Sequence, residues 1–114
     1  MSKKSDKIIK SLMDILKKEK IIIKRANLPV IVKAFIMKND DKVIIVLNNL
    51  LKRNITAFTH ELLHIYFNDQ ESLECVDKIE HRAHYYTKYI KKRLNTNAKR
   101  LFSTYIKESE LVKV

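Results

Sequence analysis

The chain has 114 residues, 46% of them hydrophobic, with 24 Lys plus Arg against 13 Asp plus Glu, a formal net charge of +11. That length builds one modest core and excludes two independent domains, so residues 1–114 are expected to form a single domain. The longest apolar runs, Ile21-Ile22-Ile23 and Val43 to Leu47, fall far short of the roughly 20 residues that span a bilayer, which excludes a transmembrane helix.

From Ser5 to about Lys20, the residues Ile8, Ile9, Leu12, Met13, Ile15 and Leu16 recur at helical spacing with lysines on the other face. This predicts an amphipathic helix that packs over a sheet rather than on a membrane. Lys10, Asp14 and Lys17 interrupt what would be the apolar core of a signal peptide, so a cytoplasmic location is expected. Residues 21–24 and 30–37 are rich in Ile and Val, with Pro29 at the entry of the second run, and predict two strands. Asn39-Asp40-Asp41 supplies turn chemistry in a chain with no glycine, and Val43 to Leu47 forms the next strand, so 30–47 reads as a β-hairpin.

Asn54 is the expected N-cap of a helix running to about Phe67. A polar stretch from Asn68 to Ser72 ends it, and a second long helix is expected from about Leu73 to Leu94. Asn95 to Asn97 then separates a last basic helix near 98–108. The single cysteine, Cys75, has no partner for an internal disulfide and agrees with a reducing compartment.

His60-Glu61-Leu62-Leu63-His64 lies inside the first of these later helices. Residues four apart share one face, so both imidazoles can reach a single zinc ion. Glu61 is rotated by about 100° from His60, which sets it beside the metal rather than on it. A general base for a zinc-activated water belongs there. A chance match to this pattern in a chain of this size arises on the order of once in a few hundred. Ile55, Phe58, Leu62 and Ile65 occupy the opposite face, available for packing on the sheet.

A catalytic zinc needs a third protein ligand and leaves a fourth position for water. On the second helix, Leu73, Val76, Ala83, Thr87, Ile90 and Leu94 form a mostly apolar stripe, and Glu80 falls inside it. A carboxylate in a buried seam is costly unless it is paired or coordinates a metal, which makes Glu80 the leading third ligand. Asp77, His81 and His84 are the alternatives. Asp77 and His84 lie on the border of the stripe and suit a role orienting a ligand. Glu71, Glu74 and Cys75 project away, and Gln70 stands where a third histidine six residues past His64 would complete a metzincin pattern.

With these residues in view, the sequence resembles the ImmA/IrrE family of metallopeptidases over about residues 43–90. The likeness rests on Val43-Ile44-Ile45-Val46-Leu47-Asn48, on Lys52-Arg53-Asn54-Ile55-Thr56, on His60 to His64 and on Asp77-Lys78-Ile79-Glu80-His81-Arg82-Ala83. Family members typically show Glu, two residues, Ala, two residues, then Phe followed by Ala. Here Glu80 and Ala83 match, and Tyr86 stands at the Phe position. The family often has Gly where this chain has Leu63 and Ala where it has Thr87.

The resemblance implies Zn2+ held by His60, His64 and Glu80, with Glu61 as the base, in a small zincin-like α+β domain. The elements read along the chain supply its parts: an N-terminal helix, a three-stranded sheet, the zinc-motif helix, the Glu-bearing helix and a C-terminal helix. It further implies an endopeptidase of a phage, mobile element or stress system that cleaves a helix-turn-helix, DNA-binding repressor. The oxyanion needs a donor besides the metal, and Tyr66, His84, Tyr85 and Tyr86 are candidates. The peptide is expected to lie along an edge strand, with the strand ending near Asn48 as the lip of the cleft.

The rival expectation is a basic, non-catalytic module that binds nucleic acid or a repressor around a structural or degenerate zinc site. It draws on the +11 charge, Lys91-Lys92-Arg93 and Lys99-Arg100. Structural zinc sites usually close all four positions, favour Cys and have no use for Glu61. With no aromatic or arginine-rich recognition motif beside the charge, direct nucleic-acid binding is expected to be weak.

Overall fold

The computed structural model describes residues 3–18, 21–39, 42–50, 54–68 and 76–112. Helix α1 (Lys3–Lys18) leads into strand β1 (Ile21–Ala26), and β2 (Ala34–Asn39) and β3 (Lys42–Asn48) follow. Helices α2 (Asn54–Tyr66), α3 (Val76–Lys91) and α4 (Thr96–Lys107) precede a short last strand, β4 (Glu110–Val112). The sheet order is β2-β3-β1-β4. β1 runs parallel to both β3 and β4, and β2 is antiparallel to β3, with Phe35 opposite Val46 and Ile36 opposite Ile45. This is an α+β fold in one layer pair, with helices gathered on one face of a mixed sheet.

Strand periodicity sorts the sheet's side chains. Ile45 and Leu47 of β3 face the helices and are fully buried, while Ile44 and Val46 join a smaller cluster with Ala26 and Leu28 on the other face. On the helical side, Ile8, Ile9, Leu12 and Leu16 of α1 meet Phe58, Leu62 and Leu63 of α2, Ile90 of α3 and Phe102 of α4. Each such buried side chain contributes roughly 1.5–3 kcal/mol. The Phe58 and Phe102 rings meet edge to face at 5.5 Å, clamping α2 to α4. The Tyr105 hydroxyl donates to the Leu16 carbonyl at 3.1 Å, satisfying one of the orphan acceptors at the end of α1.

The ends of the helices follow from side-chain chemistry. Asn95 caps α4, its Oδ1 accepting from Ala98 N at 2.8 Å. Past the end of α2, Asn68 adopts φ 54°. Chains usually put glycine at such a left-handed position, and asparagine is the next best choice in a sequence that has none.

Four expectations need correction. The run 30–37 is not a strand throughout: Val32 N donates to Pro29 O at 2.9 Å, closing a turn that leaves Val30 and Ile31 exposed, and β2 starts only at Ala34. Among the described residues the sheet has four strands rather than three, because residues 110–112 pair with β1. The strand ending at Asn48 is internal, flanked by β2 and β1, so the edge strand beside His60 to His64 is β2. Helix α3 ends at Lys91, where Arg93 N turns back to Ile90 O, rather than at Leu94. Asn54 is the first residue of α2. The expected turn at Asp40-Asp41, Gln70, the acidic pair Glu71 and Glu74, Leu73 and Cys75 lie outside the described residues.

Candidate metal centre

Helix α2 leaves the sheet directly after β3 and buries Phe58, Leu62 and Leu63, which turns His60 and His64 toward α3. His64 is buried and His60 half-buried. Their Nε2 atoms lie 3.2 Å apart, with the rings crossed at 79°. From α3, Glu80 presents Oε1 to His64 Nε2 at 3.0 Å and Oε2 to His60 Nε2 at 3.3 Å.

Donor chemistry tests what this arrangement can hold. Ligand bonds of 2.0–2.1 Å in a tetrahedron place neighbouring donor atoms about 3.3 Å apart. The three contacts here, 3.2, 3.0 and 3.3 Å, are edges of that size. Two imidazole nitrogens and a carboxylate fit a divalent cation of borderline softness. His60, Glu61 and His64 also form a group whose ligand-type atoms lie within 4.8 Å of one another, so Glu61 stands close to the same point.

Electrostatics separate the roles. Burial pushes the Glu61 carboxyl up to about 7; the charge on His64 opposes the rise and that on Glu80 adds to it. A carboxyl poised near neutrality both takes and gives a proton readily. Burial also lowers His60 below the usual histidine value, helped by His64 and opposed by Glu80, which favours the neutral imidazole a metal requires.

Glu80 reaches this point for a different reason from the one its sequence context offered. It is exposed, with 55% of its side chain accessible, and Val76, one turn before it, is 72% exposed. The seam begins at Ala83, which is fully buried and lets α3 approach α2 closely. Glu80 therefore sits at the mouth of the contact, not inside it.

A cavity of about 810 Å³ opens beside the cluster, walled by residues 31–34, by α2 and by α3. At 100° per residue, His84, Thr87 and Lys91 lie within about 40° of Glu80 around α3, and all three line the cavity together with Lys33 and Lys88. Of the residues proposed to orient ligands or donate to an oxyanion, His84 alone lines it. Asp77 does not line the cavity. Tyr85 is about 140° around the helix from Glu80 and stacks on Tyr89, while Tyr86 packs on Phe67. Tyr66 also lies against Phe67, at the edge of the core. His81, an alternative ligand, is exposed on α3, about 100° around the helix from Glu80.

Sequence reasoning missed the cavity's cationic rim and the part played by Thr87, whose Oγ1 lies 3.4 Å from His60 Nδ1. Its spacing of seven residues from Glu80 was the available signal, since seven residues are close to two turns. No protein-family model matches the chain, and no curated protein or solved structure does either.

Proposed function

We propose that this chain is a zinc-dependent endopeptidase of the ImmA/IrrE kind, acting in the cytoplasm on a helix-turn-helix repressor of a phage, mobile element or stress system. The observation that carries the reading is the meeting of His60, His64 and Glu80 at edges of 3.0–3.3 Å, with Glu61 beside them.

His60, His64 and Glu80 would hold the ion. When bound there, zinc would supply Lewis acidity, bringing the pKa of a water to about 7 and polarising the scissile carbonyl. Glu61 takes the proton of the attacking water as the C–O bond forms, and returns it to the departing amine when the peptide C–N bond then breaks. His84, which lines the cavity, would steady the oxyanion. The substrate enters as an added strand along β2, which among the described residues pairs only with β3. Lys33, Lys88 and Lys91 favour acidic side chains on the segment that binds.

The decisive test uses Glu61→Gln, which keeps size and hydrogen bonding but cannot accept the proton. Parent and variant are co-expressed with a candidate helix-turn-helix repressor, sought beside the gene, and its intact mass is followed. Zinc content should be equal, and cleavage by the variant should fall about 10²–10⁴-fold. Equal cleavage by both would overturn the mechanism, and a repressor bound but cut by neither would establish the non-catalytic binding module instead.

A further inference from the structure

Thr87 is buried on the face of α3 that meets α2. Its Oγ1 makes two contacts, one to Ala83 O at 2.7 Å and one to His60 Nδ1 at 3.4 Å. A hydroxyl has a single hydrogen to donate, and a carbonyl oxygen can only accept. The short contact to Ala83 O, the back-bond a helical threonine makes to the residue four before it, therefore takes that hydrogen. Only lone pairs remain on Oγ1 for His60. Nδ1 must then carry the imidazole's proton, and in the neutral ring Nε2 is left as a lone pair.

That lone pair faces Glu80 Oε2 at 3.3 Å and His64 Nε2 at 3.2 Å. Two acceptors turned on each other repel unless a cation lies between them. The reverse tautomer, with hydrogen on Nε2, would suit Glu80 but would set two lone pairs against each other at the buried Thr87 contact. We infer that Thr87 is a positioning residue: its hydroxyl holds His60 as the Nδ1–H tautomer and so aims the Nε2 lone pair into the metal centre. The consequence for zinc rests on the proposed function, but the tautomer itself does not.

Thr87→Val keeps the shape and removes the hydroxyl, whereas Thr87→Ser keeps the hydroxyl. In the metal-free protein labelled with ¹⁵N-histidine, long-range proton–nitrogen correlations at a pH where His60 is neutral should give Nδ1–H for the parent and Thr87→Ser. Thr87→Val should shift the ring toward Nε2–H. Competition with a chromophoric chelator should show zinc bound about 10–100-fold more weakly by Thr87→Val, with Thr87→Ser close to the parent. Thermal unfolding of the metal-free forms checks that all three fold.

Nε2–H in the parent, unchanged zinc affinity in Thr87→Val, or an equal loss in Thr87→Ser would each overturn the inference. A parent that binds no zinc would instead overturn the proposed function, and the parent's tautomer would then decide this inference alone.

Discussion

Replacing Asn48 should cost the protein much of its stability and loosen one wall of the cleft. Asn48 closes β3 with its side chain fully buried. Its Oδ1 accepts from Leu28 N at 3.3 Å and Leu50 N at 3.0 Å. Its Nδ2 donates among the carbonyls of Leu28, Pro29 and Val32 at 3.2, 3.1 and 2.8 Å. One side chain thus replaces a whole run of backbone pairing for the segment 28–33, whose last residues line the cavity. Asn48→Ala leaves the buried Leu28 N–H and C=O without partners, at about 1–3 kcal/mol each, while the outer groups partly regain water. The sum is about 2–6 kcal/mol, a large share of the roughly 5–15 kcal/mol that holds a domain together. Urea unfolding followed by circular dichroism measures it. Asn49→Ala, which removes an exposed contact to Asn27 and a half-buried one from Arg25, is the control and should cost under about 1 kcal/mol. Asn48→Asp adds a sign test. It turns a second acceptor toward the three carbonyls, so the folded state should retain the proton to higher pH than the unfolded chain. With more protons bound when folded, stability must fall as pH rises. A loss under about 1 kcal/mol for Asn48→Ala, or an Asn48→Asp variant more stable at neutral than at acidic pH, would refute the reasoning.

Glu80→Ala should weaken zinc binding strongly while leaving unfolding of the metal-free protein nearly unchanged, because Glu80 is exposed; full zinc occupancy at low free metal would remove it from the site. Arg25→Ala removes hydrogen bonds to Ser109 Oγ, Ser109 O and Asn49 Oδ1. It should cost about 2 kcal/mol and speed amide exchange in β4, and unchanged exchange there would show that pairing alone holds the strand. Fluorescence anisotropy with duplex DNA should show weak binding indifferent to sequence, with affinity falling steeply between about 50 and 200 mM salt as neutralised phosphates release counterions. Tight, sequence-specific binding at physiological salt would favour the basic binding module over the enzyme.

How much of this was legible in the sequence depended on how local each feature is. His60, Glu61 and His64 were readable because their relation is fixed by one helix. The α1 stripe and the β2–β3 pairing were readable for the same reason, since periodicity and a short connection specify them. Glu80 was singled out through a burial argument that does not hold, yet it shares a helix face with Ala83 and Thr87, and that face is what meets α2. The tyrosines show the opposite failure: Tyr85 and Tyr86 are near Glu80 in sequence but on other faces of α3, which the 100° step alone could have revealed. Strand order escaped because parallel pairing is a long-range decision. Nothing in Lys42 to Asn48 says that β1 will lie on one side of it and β2 on the other. Val30 and Ile31 misled because strand propensity yields to a turn that Asn48 holds from a distance. Glu110 to Val112 carries too few residues to show alternation at all.

The pairing of β4 with β1 joins residues 86 positions apart, Lys24 with Glu110 and Ala26 with Val112. During synthesis that partner is the last of the four strands to leave the ribosome. Until then the Lys24–Ala26 end of β1 has one flank open, the kind of unpaired edge that recruits a stray strand from another molecule. A nascent chain is thus most exposed to mispairing over the interval in which α2, α3 and α4 are being made. Lys24 and Arg25, set immediately after Ile21-Ile22-Ile23, place two positive charges on that open flank, a form of protection that works before the fold is complete.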